Sequence, residues 1–238
     1  MPFFDFIDTL PRYASIDRPQ ANRLNLRRRF IIGPVKPYFK NARVLDLASH
    51  DGRWCYAFAA AGAREVVGFE GRQELIDSFP DFPDEELRNK VQLHCTDIFD
   101  GLDAAIAEGE RFDVVGVLGI YYHIMDHQRL LKQIRAVKPK LVIIDSEFST
   151  RDNPIIQLVQ ERTDQILNAI PEYDGHEIAV KGVPSFRAME LMADSAGFDL
   201  EWNDVSDIPR GRRGGVADYY RKTNMRRATC FLRPKGDT

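Results

Sequence analysis

The 238-residue chain has only three cysteines, and its formal net charge at pH 7 is only −3. Cys55, Cys95 and Cys230 are odd in number and widely spaced in apolar surroundings, which favours reduced core thiols over a disulfide framework. The five histidines show no ligand spacing with these cysteines, so we predict no structural zinc and no other metal site.

The chain also lacks an apolar run of membrane-spanning length, internal repeats and low-complexity tracts. Its first ten residues carry early acids and no basic segment, so they are not typical of a signal peptide. With 44% hydrophobic and 29% charged residues, the composition is that of an ordinary globular protein. We therefore expect a cytosolic protein with no membrane association, long enough for one large α/β domain or at most two small ones.

Short apolar strands alternate with helical stretches from about residue 43 onwards. The pattern predicts strands over Arg43–Leu47, Glu65–Phe69, Val91–Cys95, Phe112–Leu118, Leu141–Asp145, Phe198–Val205 and Ala228–Leu232. Strands separated by helices indicate βαβ units, hence a mostly parallel sheet, with the last two strands as an antiparallel pair at its edge. A helical lead-in is predicted before residue 43, an amphipathic helix over Pro154–Ile170, and a long loop over Ser206–Arg227.

Three acids follow three successive strands of this alternation. Asp46 ends the first strand, Glu70 follows the second, and Asp97 lies just past the third. Taken alone, Asp46 fits a helix N-cap or a turn equally well, and Glu70 and Asp97 fit ordinary polar strand ends. Together, at the mouth of a parallel sheet, they favour a nucleoside site, because ribose hydroxyls and an adenine amino group are hydrogen-bond donors.

At these residues the chain resembles the class I S-adenosylmethionine-dependent methyltransferases. The resemblance implies a Rossmann-like α/β fold: a seven-stranded, mostly parallel sheet, helices on both faces, and a helical lid after strand five. It also implies one domain, with a lead-in over residues 1–42, a cofactor-binding half over 43–148, and a lid and substrate-binding half over 149–238.

The resemblance implies S-adenosylmethionine as the cofactor. The turn after the first strand would cradle its methionine part, Glu70 its ribose and Asp97 its adenine. The residues expected at this site are Asp46, Ala48, Ser49, His50, Gly52, Arg53, Glu70, Gly71, Asp97, Ile98 and Leu118. The family's G-x-G-x-G turn reads Ala48-Ser49-His50-Asp51-Gly52 here, so only the last glycine remains. Either this turn avoids positive φ at His50, or His50 is strained and usefully placed.

The fourth strand leads into Gly119-Ile120-Tyr121-Tyr122-His123, where the methyl acceptor should lie. Histidine is suited to removing a proton from a hydroxyl or ammonium near neutral pH, so His123 is the candidate general base. Tyr121 or Tyr122 would orient the acceptor. A histidine that only caps the next helix and a tyrosine that packs in the core remain the structural alternatives, and His50 is the competing histidine.

Arginines cluster before the cofactor turn, at Arg23 and Arg27–Arg29, and again over residues 210–227. Such clusters form either solvated helix faces and loops or the rim of a site that attracts an anionic substrate. On the second interpretation Arg210, Arg212 and Arg213 bind the acceptor, and Glu147 after strand five is a further candidate contact.

Tyr122-His123 is also similar to a Tyr-His subgroup that includes the tRNA wobble-uridine carboxymethyltransferases, whose turn glycines and basic motif this chain does not match. Three hypotheses follow from the sequence. The first is a methyltransferase acting at oxygen or nitrogen of a small molecule, and on the second interpretation of the arginines this molecule is anionic. The second is an RNA-modifying enzyme on the same fold, and the third is a cofactor-binding protein without catalysis. The sequence does not indicate an oligomeric state.

Overall fold

The computed structural model describes residues 2–14, 16, 19–165 and 177–236. Within these ranges the strands are β1 (Arg43–Leu47), β2 (Glu65–Glu70), β3 (Val91–Cys95), β4 (Val114–Leu118), β5 (Leu141–Ser149), β6 (Ile156–Arg162), β7 (Ile178–Pro184), β8 (Phe198–Trp202) and β9 (Met225–Pro234). The α-helices are α1 (Pro11–Ala14), α2 (Ala21–Ile31), α3 (Arg53–Ala61), α4 (Gln73–Ile76), α5 (Glu85–Arg88), α6 (Ile98–Ala107), α7 (His127–Ala136) and α8 (Phe186–Ser195). Short 3₁₀ segments cover Ile7–Thr9, Gly33–Phe39, Phe79–Asp81, Tyr121–His123, Arg210–Arg212 and Gly214–Tyr220.

Seven strands form one sheet in the order β3-β2-β1-β4-β5-β9-β8. The first five strands are parallel, and β9 runs antiparallel between β5 and β8. The chain reverses its winding between β1 and β4, so their carboxyl ends form the crevice where an open α/β sheet binds ligands. The predicted seven-stranded, mostly parallel sheet with an antiparallel edge pair is confirmed.

Helices cover both faces of this sheet, because side chains along each buried strand alternate between two apolar layers. On β1, Val44 packs in the layer of α2 and α3, whereas Leu45 packs in the layer of α6, α7 and α8. None of the helices in the described ranges has the length and apolar character needed to span a bilayer. All three cysteines were predicted to be core thiols. Cys55 and Cys230 are buried, whereas Cys95 is exposed.

The predicted helix over Pro154–Ile170 is wrong where the structure describes it. Residues 156–162 are strand β6, which pairs antiparallel with β7 as a separate two-stranded sheet. Residues 166–170 of the predicted helix lie outside the described residues. The lid region after β5 is therefore a β-hairpin over its described part.

The segment predicted as a long loop also has more structure than expected. Two 3₁₀ turns occupy residues 210–220, and β9 already begins at Met225. Arg227, which the prediction placed at the end of the loop, is therefore a buried residue of a central antiparallel strand.

Candidate active site

A cavity of about 870 Å³ lies at the carboxyl ends of the parallel strands. The sequence-predicted residues that line it are Ala48, His50, Arg53, Glu70, Gly71, Asp97, Ile98, Leu118, Tyr122 and His123. The cavity thus joins the predicted cofactor turn at one end to the segment after β4 at the other.

The turn after β1 has positive φ at three residues, although only one of them is a glycine. Ala48 and His50 both have φ of 56°, and Gly52 has φ of 77°. The left-handed region costs a residue with a Cβ atom about 1–2 kcal/mol, so this turn carries strain at two positions. The sequence left open whether His50 avoids positive φ, and the structure shows that it does not.

Glu70 ties this turn to the end of β2. One carboxylate oxygen accepts the His50 N–H at 2.8 Å and the other accepts the Arg72 N–H at 3.0 Å. The residue is 5% exposed, and this burial raises the pKa of its carboxyl above the usual value. A carboxylate has about four lone-pair sites, so each oxygen retains acceptor capacity toward the cavity that Glu70 lines.

His50 belongs to a charged cluster beneath the turn. Its Nδ1 accepts the Asp51 N–H at 2.8 Å and lies 2.5 Å from Arg53 Nη2. Burial and the neighbouring Arg53 charge lower the pKa of His50 to about 4, so the ring is neutral at pH 7. Asp51 accepts Arg53 Nε at 2.6 Å and the Tyr13 hydroxyl at 2.5 Å. Burial opposes ionisation of Asp51, but Arg53 and these hydrogen bonds hold its pKa well below the usual range.

Asp46 and Ser49 lie behind the cavity wall. Burial raises the pKa of Asp46 to about 7, and the Cys55 thiol lies 3.4 Å from its Oδ2. Its other oxygen and the Ser49 hydroxyl are buried and find no hydrogen-bond partner in the described part of the chain. Neither residue lines the cavity, so the structure does not bring these two predicted site residues into contact with a ligand bound there.

Asp97 performs a local structural task as well as lining the cavity. It is the N-cap of α6 and accepts the Phe99 N–H at 2.8 Å through Oδ1. The sequence analysis did not predict this N-cap role for Asp97. The cap uses Oδ1 and leaves Oδ2 without a hydrogen bond among the described residues.

At the opposite end, His123 is held by a carboxylate that the sequence analysis missed. Both oxygens of Glu161, on β6, lie 2.9 Å from His123 Nδ1. Lys181 on β7 places its Nζ 2.7 Å from Glu161, whose side chain is 5% exposed. A carboxylate at Nδ1 favours the tautomer with the proton on that nitrogen, which leaves Nε2 as a proton acceptor.

The two tyrosines before His123 have different surroundings. Tyr121 is fully buried against Phe148 and His127, and its hydroxyl finds no partner in the described residues. Tyr122 lines the cavity, with its ring centroid 4.1 Å from that of His123. The geometry therefore favours Tyr122 as the tyrosine that contacts a ligand.

Three arginines also line this end of the cavity. Arg23 and Arg27 come from α2, and Arg227 comes from β9. They form ion pairs with Asp145 at the end of the parallel part of β5 and with Asp218. Burial opposes ionisation of Asp145, but the charges of Arg27 and Arg227 lower its pKa to about 2.

Comparison with known proteins identifies the family. A family model described as a methyltransferase domain matches residues 17–203, most of the chain. The chain belongs to this family. A search of curated proteins by sequence finds no significant match.

Several solved structures share the fold of this methyltransferase at low identity. The N-terminal domain of EvdMO1, crystallised in the presence of S-adenosylhomocysteine (SAH) and D-fucose, is 17% identical with a TM-score of 0.64, covering 92% of this chain and 84% of that one. A putative S-adenosylmethionine-dependent methyltransferase from Listeria monocytogenes is 15% identical with a TM-score of 0.61, covering 92% and 100%. The 1,6-didemethyltoxoflavin-N1-methyltransferase of Burkholderia thailandensis, solved with 1,6-didemethyltoxoflavin and SAH, is 15% identical with a TM-score of 0.57, covering 98% and 86%.

The cofactor of the methyltransferase is S-adenosylmethionine, and the turn end of the cavity fits it. Glu70 offers two carboxylate oxygens to a pair of hydroxyls, and Asp97 lines the same cavity. The strained turn brings its backbone to the cavity wall at Ala48 and His50. These are the groups that would hold ribose, adenine and the methionine part, and all were predicted from the sequence as site residues.

Other predicted residues lie away from the cavity. Arg210 and Arg212 are exposed, Arg213 contacts the ring of Tyr220, and Glu147 pairs with Arg221 at 3.1 Å. The cavity-lining residues that the prediction omitted include Arg23, Arg27, Trp54 and Arg227, and it also missed Glu161 behind His123. The arginine clusters were a signal for three of them, whereas nothing local in the sequence pointed to Glu161.

Proposed function

We propose that this methyltransferase acts on an oxygen or nitrogen of a small-molecule acceptor, with His123 as general base. The observation that carries the proposal is one continuous cavity with the Glu70 turn at one end and the His123–Glu161 pair at the other. Its volume of about 870 Å³ lies in the range typical of small-molecule sites.

Bound S-adenosylmethionine supplies an electrophilic methyl group. The residues of the chain must align the acceptor and remove its proton. In the proposed mechanism Glu161 holds the His123 Nδ1–H. Nε2 takes the proton of an acceptor hydroxyl as its oxygen attacks the methyl carbon, or takes the proton of an acceptor ammonium before its nitrogen attacks. The carbon–sulfur bond would break as the new bond forms, and its electron pair would stay on the sulfur of the departing thioether. Glu161 then stabilises the imidazolium, and Tyr122 beside it orients the acceptor.

Similar folds support a small acceptor. The EvdMO1 domain was crystallised in the presence of D-fucose, and the Burkholderia enzyme was solved with 1,6-didemethyltoxoflavin. Both are small molecules, and the cavity volume of about 870 Å³ suits an acceptor of that kind.

The His123→Ala variant tests the proposal. A general base contributes about 10²–10⁴-fold, so kcat for transfer to a responsive acceptor from a metabolite panel should fall by that factor. The acidic limb of the pH–rate profile should vanish, while SAH affinity stays unchanged because the Glu70 end is intact. His94→Ala is the matched control, since His94 is exposed on β3 outside the cavity. A His123→Ala enzyme with near-normal kcat and an intact acidic limb would contradict the proposed base.

A further inference from the structure

We propose that the acceptor end of the cavity is an oxyanion site, so that the acceptor carries a carboxylate or a phosphate on an apolar or aromatic body. Arg27 and Arg227 bind the oxyanion, and Arg23 adds charge beside them. The inference rests on the proposed function in one respect, namely that the acceptor occupies this cavity.

The arginines outnumber the acids that pair with them. Asp145 accepts Arg27 Nη2 at 2.6 Å and Arg227 Nη1 at 2.9 Å. Asp218 accepts Arg23 Nη2 at 2.7 Å and Arg227 Nε at 3.0 Å. Three guanidinium groups thus face two carboxylates, which leaves one uncompensated positive charge in the network.

This surplus charge is poorly solvated. The side chains of Arg27 and Arg227 are 11% and 8% exposed, and that of Arg23 is 30% exposed. A buried charge without a partner is costly, and an anion entering the cavity would compensate it.

Two guanidinium nitrogens remain available for such an anion. Nη1 of Arg27 and Nη2 of Arg227 have no acceptor among the described residues, although both side chains line the cavity. The other nitrogens of the two groups are engaged by Asp145, Asp218 and the Tyr219 hydroxyl, which fix their orientation. Fixed guanidinium donors are well suited to carboxylate and phosphate oxygens.

The remaining charges of the cavity do not cancel this surplus. Glu70 and Asp97 lie at the cofactor end, and Asp126 is exposed before α7. Glu161 is already paired with Lys181 and His123.

The oxyanion site lies beside the proposed base. Asp145 is the register partner of Leu118, the last residue of β4, and the Arg227 guanidinium carbon is 5.6 Å from the Tyr122 ring centroid. On the other side, the Arg27 guanidinium carbon is 5.2 Å from the Trp54 ring centroid. Ile124, Ile178 and Val180 also line the cavity. An acceptor anchored there by its oxyanion would lay an apolar or aromatic body against these side chains and present its nucleophile near His123.

Binding to the SAH-loaded protein tests the site without turnover. Isothermal titration would compare benzoate, benzamide and inorganic phosphate on the wild type, Arg27→Gln, Arg27→Lys and the control Arg29→Gln. Arg29 lies on the same helix and pairs with Asp207, outside the cavity. SAH affinity, measured in each variant, reports an intact fold.

We expect benzoate or phosphate to bind the wild type and benzamide to bind at least about tenfold more weakly, since it lacks the charge. Binding by benzoate alone indicates a carboxylate acceptor, and binding by phosphate alone a phosphate. Arg27→Gln should lose about tenfold or more, Arg27→Lys should recover only part of it, and Arg29→Gln should match the wild type.

Equal binding of benzoate and benzamide to the wild type, or no binding of either anion, would overturn the oxyanion site, and this comparison needs no variant. An unchanged anion affinity in an Arg27→Gln protein that still binds SAH would overturn it as well. The general base is tested separately by turnover of His123→Ala, so either proposal can fail while the other stands.

Discussion

Replacing Glu161 by Gln isolates the contribution of the carboxylate that holds His123. Gln has nearly the same shape, so the change removes the charge 2.9 Å from Nδ1 and 2.7 Å from Lys181 Nζ without opening a cavity. A Gln amide can accept the Nδ1–H or donate to that nitrogen, so the tautomer of His123 is no longer fixed.

The expected loss follows from the hydrogen bond. A hydrogen bond to a charged group contributes about 1.5–3 kcal/mol, and each step of about 1.4 kcal/mol is tenfold in rate. We therefore expect kcat to fall about 10–100-fold, less than for His123→Ala. Because Glu161 positions His123 at the end of the cavity away from Glu70, SAH affinity should stay unchanged while kcat falls.

Steady-state kinetics across pH, with SAH affinity as a check on the cofactor end, would measure these effects. Asp164→Asn is the matched control: it removes a carboxylate just beyond β6, where Asp164 pairs with Arg162 and is 53% exposed. That variant should retain kcat within about twofold, since exposed pairs contribute little. A Glu161→Gln enzyme with wild-type kcat would refute a positioning role for Glu161.

Two further predictions concern the cofactor end. Glu70→Ala should weaken SAH binding by about 1–3 kcal/mol, measured by calorimetry; unchanged affinity would remove Glu70 from the site. Ala48→Gly should leave the free energy of urea unfolding unchanged or raise it by up to about 1 kcal/mol, because it relieves positive φ. Ala104→Gly, at an exposed position inside α6, should lose about 1 kcal/mol; an equal loss in both variants would mean that the turn at Ala48 is not strained.

The parallel sheet was predictable because its signals are local. The first five strands are short and rich in apolar residues, and an acid lies near or just past the end of each of the first three. Two of these acids, Glu70 and Asp97, line the cavity. The conformation of His50 was not predictable, because its N–H bonds to Glu70 on the neighbouring strand, a contact that the sequence of the turn does not encode.

The hairpin was mispredicted because apolar side chains of β6 are exposed and a charged one is buried, the reverse of the usual distribution. On β6 the apolar Ile156 and Leu158 are 40% and 61% exposed, whereas Glu161 is 8% exposed. The segment therefore does not show an apolar face turned to the core. Glu161 is buried against His123 and Lys181, and a search for helical or strand periodicity within the segment does not detect such contacts.

The two ends of the cavity differ in how the chain builds them, and this difference explains why the sequence indicates the cofactor but not the acceptor. The cofactor end comes from three consecutive strand-to-helix turns, so its residues recur at regular spacing and in order. The acceptor end joins α2, the turn after β4, the β6–β7 hairpin and β9, which meet only in the folded protein. Substitutions there can change the acceptor while the Glu70 turn stays intact, because no arginine of that network contacts Glu70 in the described structure. Acceptor specificity in this methyltransferase should therefore be sought in Arg27, Arg227 and the hairpin. In the proposed site, the long-range contacts of these residues would determine whether a charged acceptor binds.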